Sequence, residues 1–278
     1  MQNTNMQNSI LPSVKFTIAV ASGKGGVGKS TVAVNLAVAL AKEGYKVGII
    51  DADIYGPSIP TMLGAADDKP KLVKIAEKNR LLPVVKYGIK IMSIGFLVDP
   101  NEAVVWRGPM AASALKQFMS DVEWDELDFL LYDMPPGTGD IQLTLTQSIP
   151  LTGSVIVTTP QEISLIDARK GAKMFEKVNV PVLGIIENMS YYSNPDGSKE
   201  HIFGEGGGKK LSEEMGITFL GEIAINTAVR IGGDEGKPIV LGKPESTEAK
   251  QFVSIARDLA EQVKNRARTQ PKLPVIEI

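Results

Sequence analysis

The chain contains no cysteine among its 278 residues, and only one histidine, His201. Without cysteine there is no disulfide, no thiolate nucleophile and no thiolate ligand for a metal. A single histidine leaves a histidine-built metal centre without partners. Neither sign of charge dominates: 30 Lys and Arg stand against 32 Asp and Glu, for a net charge of −2. A broad nucleic-acid-binding face needs a basic surplus that this balance does not supply. No apolar run reaches the roughly 18 residues of a membrane span. The opening stretch MQNTNMQNSILPSVK is polar and has no signal-peptide core. The expectation is a cytoplasmic protein with neither membrane nor nucleic acid as partner.

Apolar residues make up 43% of the chain, enough for a sizeable core. Residues 1–14 read as a disordered arm, 15–266 as one domain and 267–278 as an extended tail. Within that domain, 16–21 reads as a short buried strand. Residues 31–43 read as a helix, with Val32, Leu36 and Ala39 on one side and Gly44 as its stop. The stretch 46–51, KVGIID, is a second apolar strand ending in an acid. Strand–helix–strand is the unit of a parallel sheet. Residues 81–98 alternate around Pro83 and Gly88 and suggest a hairpin or edge insertion. Helices are then expected at 109–120, 141–147 and 164–178, and strands at 129–132, 154–158 and 182–186. A polar loop at 189–208 precedes a strand at 217–220, a short helix near 227–232 and a long helix at 246–266. The fold class this predicts is α/β, a doubly wound, mostly parallel sheet with helices on both faces.

The stretch SGKGGVGKST carries the strongest chemical signal. Gly23-Lys24-Gly25-Gly26-Val27-Gly28-Lys29-Ser30 fits the phosphate-loop spacing, and Thr31 continues it into the helix. Glycines let consecutive backbone N–H groups point inward at phosphate oxygens, and the following helix adds the positive end of its dipole. Lys29 would reach the β- and γ-phosphates, and Ser30 would hold Mg²⁺. The loop follows a predicted strand and opens a predicted helix, which is the context the motif requires. Lys24 lies too early in the loop to serve the phosphates of its own site.

Acids stand where the ligand crevice should open. Asp51 and Asp53 end the second predicted strand. A carboxylate there can orient water or bind Mg²⁺ through water, while Asp51 suits a turn or cap. In FLLYDMPPGTGD, four apolar residues lead into Asp133, as in a Walker B strand. The turn that follows could sense the γ-phosphate through the Gly137 N–H and release it on hydrolysis. Asp140 suits a helix N-cap. Asn188 closes another buried strand.

The pattern K-G-G-x-G-K-[ST] resembles the deviant Walker A of MinD/ParA-class ATPases. The longer strings DADIYGPSIPTMLG, WRGPM, DMPPGTGD, TTPQEISLIDARK, ENMSYY, HIFGEGGGKK and FLGEIAIN resemble the Mrp/ApbC family of iron–sulfur cluster carrier ATPases over about residues 15–245. That resemblance implies a P-loop ATPase working as a homodimer that sandwiches two ATPs. Lys24 would cross to the partner's nucleotide. Asp53 would position the attacking water, so that Lys24, Lys29 and Asp53 form the catalytic set. Ser30, Asp53 and Asp133 would serve Mg²⁺, and Asn188 would meet the adenine edge. It also implies an iron–sulfur cluster as cargo, with assembly or apo-client proteins as partners. One departure concerns that cargo. Many members carry C-P-x-C after the N-M-S-Y string, but Asn194 and Gly197 stand where those cysteines would fall. The alternative is a MinD/ParA-like positioning ATPase acting by surface or partner binding. Against it, the apolar face of the last predicted helix (Phe252, Ile255, Leu259, Val263) reads as core packing, not membrane binding.

Overall fold

The computed structural model describes residues 10–75, 77–97, 108–194 and 196–269. In chain order, β1 (Val14–Ala21) leads through the glycine loop into α1 (Lys29–Lys42), then β2 (Val47–Asp51) and the short α2 (Ile59–Met62). Next come β3 (Lys71–Ile75), β4 (Lys78–Leu82), β5 (Val84–Lys86) and β6 (Ile89–Ser93). Helix α3 (Gly108–Ser120), β7 (Leu127–Asp133), α4 (Asp140–Ser148), β8 (Gly153–Thr158), α5 (Glu162–Lys177) and β9 (Val182–Glu187) follow. The last elements are β10 (Tyr192–Ser193), β11 (Lys199–Glu200), α6 (Gly207–Met215), β12 (Phe219–Glu222), α7 (Thr227–Asp234), α8 (Ile239–Gly242) and α9 (Thr247–Thr269).

Eight strands form one sheet in the order β12-β9-β8-β1-β7-β2-β6-β5. All pairs are parallel except β5 with β6. The strands read as unbroken apolar runs because both faces of the sheet are covered. In β1, Ile18 and Val20 enter one core and Ala19 and Ala21 the other. The first core is closed by α1, α8 and α9, the second by α3, α4, α5 and α6. The chain winds outward from β1 to β2 and β6, returns to insert β7, then crosses to β8 and beyond. The loops leaving β1 and its neighbours therefore part at the C-terminal ends of the central strands, where such sheets bind ligands.

Several expectations shift. The region read as one insertion at 81–98 splits three ways: β4 pairs with β3 in a separate hairpin, β5 forms the antiparallel edge, and β6 joins the main sheet. The polar loop at 189–208 contains the antiparallel β10–β11 pair. The strand expected at 217–220 runs from Phe219 to Glu222 and carries a register shift before Gly221. Asp140 is not the N-cap of α4. Gly139 takes the extended cap geometry, and Asp140 is the first helical residue. Its carboxylate there complements the dipole without a capping bond. Most of the expected N-terminal arm (1–9) and of the expected tail (270–278) lies outside the described residues. The rest of the arm is packed: Leu11 is buried, and β1 already begins at Val14. Among the described residues, no helix is long and apolar enough to cross a membrane.

Candidate functional site

The glycine loop turns because Gly26 and Gly28 adopt positive φ, 82° and 79°, which side chains with a Cβ disfavour. Gly28 is the N-cap of α1, no side chain caps that end, and the first turn holds no acid. A helix start with free N–H groups and no competing carboxylate suits an anion. Gly23 is needed for a different reason. A Cβ there would sit 2.1 Å from the Asp167 carbonyl carbon of α5, so only glycine lets the loop lie against that helix. Ser22, Gly25, Gly26, Gly28, Lys29, Ser30, Thr31, Asp53, Ser58, Met62 and Pro136 line a cleft of about 310 Å³ at this point.

Lys29 is the hub. Its side chain is 6% exposed, and Nζ lies 2.7 Å from Oδ1 of the fully buried Asp133. The Asp53 carboxylate is 3.6 Å away, and Nζ also donates to Ser30 Oγ at 3.2 Å. Ser30 Oγ in turn donates to Asp133 Oδ2 at 2.6 Å. The loop's cation, its hydroxyl and the acid ending β7 thus form one network across 104 positions of sequence. This donor set suits a nucleotide carrying Mg²⁺: N–H groups and an ammonium for the phosphates, a hydroxyl and a carboxylate for a hard cation.

Asp51 ends β2 with Asp133 beside it on β7. Burial, and then the Asp133 charge, push the Asp51 carboxyl up to about 8 against the bonds from Ile59 and Ser93. Asp53 is also raised, first by burial, with the Lys29 charge opposing. Asp51 has the structural role its position suggests, accepting the Ile59 N–H at the start of α2 at 3.1 Å.

The other candidates lie around this centre. Lys24 does not line the cleft, and among the described residues no hydrogen bond or ion pair engages its ammonium. Gly137 (φ 98°) donates its N–H to the Ser22 carbonyl at 3.0 Å, which joins the turn after β7 to the start of the phosphate loop. Val27 is buried and its carbonyl accepts the Asn188 amide at 2.9 Å. Asn188 therefore buttresses the loop from behind. Sequence reasoning missed Ser58, Met62 and Ser93. The only local signal for α2 was Ser58 followed two residues later by Pro60, a helix-start pattern.

At the β10–β11 tip, Asn194 Nδ2 donates to Ser198 Oγ at 3.1 Å and Ser198 Oγ donates to Asp196 at 2.6 Å, while Pro195 lies outside the described residues. His201 Nε2 lies 3.7 Å from Glu205. Among the described residues, no group of three or more histidines and acids gathers that could hold a metal ion. The side chains present do not fit an iron–sulfur cluster, whose ordinary ligands are thiolates.

A family model for ParA, described as NUBPL iron-transfer P-loop NTPase, matches residues 13–260. A Synechocystis sp. protein named iron-sulfur cluster carrier protein is 54% identical over 252 residues, 90% of this chain and 71% of that protein. An Escherichia coli K12 protein of the same name is 55% identical over 251 residues, 90% of this chain and 66% of that one. The chain spans about two thirds of the length of such relatives. Among solved structures, it is similar to an Archaeoglobus fulgidus nucleotide-binding protein in complex with ADP. Identity is 40%, the TM-score is 0.75, and coverage is 90% of this chain and 96% of that one. It is also similar to the Pyrococcus furiosus cell division ATPase MinD, at 26% identity and TM-score 0.65, over 88% of this chain and 98% of that one.

Proposed function

Because this chain belongs to the ParA family of NUBPL-type iron-transfer P-loop NTPases, we propose that it binds and hydrolyses ATP with Mg²⁺ as a homodimer and couples that cycle to delivery of an iron–sulfur cluster or of the protein that receives one. The observation that carries this reading is Lys29, held between Asp133 at 2.7 Å and Asp53 at 3.6 Å at the mouth of the N–H cradle. Phosphate oxygens would replace Asp133 as the partner of Lys29. Ser30 would then hold the metal directly, and Asp133 through a water. When bound, Mg²⁺ neutralises charge on the β- and γ-phosphate oxygens. Asp53 would accept a hydrogen bond from the attacking water and orient it in line with the γ-phosphorus. Water's oxygen bonds to that phosphorus as the bond to the ADP oxygen breaks. Gly137 would exchange the Ser22 carbonyl for a γ-phosphate oxygen, which makes the turn after β7 the switch. Asn188 would give its second amide hydrogen to the adenine edge.

Among the described residues the Lys24 ammonium has no partner, and it lies outside its own cleft. That supports a role on the nucleotide of a second copy. Cluster cargo would need thiolates from a partner protein, since this chain has none. One P-loop ATPase domain over 15–266 and a cytoplasmic location belong to the same proposal. A positioning role like that of MinD is less supported, because the carrier relatives are 54–55% identical and the MinD structure 26%.

The test is phosphate release, nucleotide titration and light scattering on the wild type and on Lys24→Ala. We expect ATP affinity within about threefold of wild type and turnover lower by roughly 10²-fold or more, as for loss of an arginine finger. Wild-type turnover in Lys24→Ala, or a monomer at saturating ATP, would overturn the dimeric mechanism.

A further inference from the structure

Asp51 has a function that its burial alone does not explain. A carboxyl group taken fully out of water is costly unless its oxygens find hydrogen-bond donors. Asp51 is completely buried, and among the described residues its side chain accepts three hydrogen bonds. Oδ1 accepts the N–H of Asp53 at 3.3 Å. Oδ2 accepts the N–H of Ile59 at 3.1 Å and the hydroxyl of Ser93 at 3.0 Å. Residues 53 and 59 lie at the two ends of the loop that joins β2 to α2, whose tip at 55–57 is exposed. Ser93 extends the contact by accepting the Gly95 N–H at 3.0 Å. That turn is the seat of the loop: a Cβ on Gly95 would come within 3.3 Å of Pro57.

We propose that Asp51 is a positioning residue, whose two carboxyl oxygens clamp both ends of the 52–58 loop and so hold the Asp53 carboxylate at the cleft beside Lys29. The proposal rests on the reading of Asp53 as the group that orients water. Asp51 itself does not line the cleft. Its effect passes through the backbone N–H of Asp53 and through the start of α2, which brings Ser58 and Met62 to the cleft wall.

The test compares steady-state ATPase kinetics of Asp51→Asn, Ser93→Ala, Asp53→Asn and the Asp51→Asn/Asp53→Asn double variant. Asparagine keeps one acceptor oxygen and turns an NH₂ toward the other end of the loop, so it opens half of the clamp at nearly constant volume. For Asp51→Asn we expect kcat to fall on the order of 10–100-fold, as a displaced reacting group predicts, with KM for ATP within about threefold. Ser93→Ala should show a smaller fall with the same split, and it stands in if Asp51→Asn fails to fold. In the Asp53→Asn background, Asp51→Asn should cost nothing further, because both changes disable one unit. Wild-type kcat in Asp51→Asn beside an inactive Asp53→Asn overturns the clamp alone. A rise in KM matching the fall in kcat, or multiplicative losses in the double variant, does the same. Wild-type turnover in Asp53→Asn overturns the reading of Asp53, and the clamp with it.

Discussion

Replacing Lys29 by methionine tests the electrostatics of the site without any nucleotide. Methionine keeps most of the stem volume and removes the charge. Asp133, fully buried, then loses the ammonium at 2.7 Å and, among the described residues, keeps the Ser30 hydroxyl at 2.6 Å as its one side-chain donor. Removing one partner of a buried ion pair costs about 3–5 kcal/mol. The retained bond from Ser30 brings the expected loss to about 3 kcal/mol, which for a chain of this size lowers Tm by roughly 10 °C. The measurement is thermal and urea unfolding in EDTA without nucleotide, so that lost ligand binding does not enter. Adding Asp133→Asn to Lys29→Met should recover most of the loss, since no charge is then stranded. A Lys29→Met protein within about 1 kcal/mol of wild type would refute the buried-pair reading. Full loss with no recovery in the double variant would trace the effect to loop packing instead.

Two further substitutions probe the scaffold. Gly28→Ala forces a Cβ into a φ of +79° and to 2.2 Å from Asn188 Nδ2. We expect ATP affinity to fall at least tenfold and stability by about 1–2 kcal/mol from the left-handed backbone alone. Unchanged affinity by nucleotide titration would mean that phosphates bind elsewhere. Asp128 accepts hydrogen bonds from Lys15 Nζ at 2.8 Å and from the Lys46 N–H at 2.9 Å. Burial pushes its carboxyl up, but those bonds outweigh it and hold it below the ordinary value. Its contribution to stability is therefore present above the ordinary carboxyl range and is lost as pH falls through the lowered value. Asp128→Asn should cost about 1 kcal/mol at pH 7 and nearly nothing once the wild-type acid is protonated. A difference that stays constant down to pH 3 would refute that assignment.

The parts legible in the sequence are those that local chemistry dictates. Glycines at 23, 26 and 28 spell a phosphate loop because each meets a need no other residue meets: close approach to α5 at Gly23 and positive φ at Gly26 and Gly28. The strands β1, β2, β7, β8 and β9 announced themselves as apolar runs because the sheet is covered on both faces. Asp53 and Asp133 were readable because strand ends in such sheets open on the crevice. The hairpin and the edge strand were not separable, because β3 to β6 are all short and Pro83 with Gly88 marks only that the chain bends. Asp140 was misplaced by one residue, since Gly139 can take the cap geometry without a side chain.

Sequence alone thus determined the fold class, the glycine loop and the acids that lie against its lysine. These depend on backbone conformations and periodicities confined to a few neighbouring residues. Tertiary structure decided what those groups do to one another. Strand order placed β7 between β1 and β2, and that alone set Asp133 against Lys29 across 104 positions and beside Asp51. It also brought Ser93 to Asp51 across 42 positions, and Asn188 under the Val27 carbonyl across 161. Such contacts arise from the order in which strands enter the sheet, which no local pattern encodes.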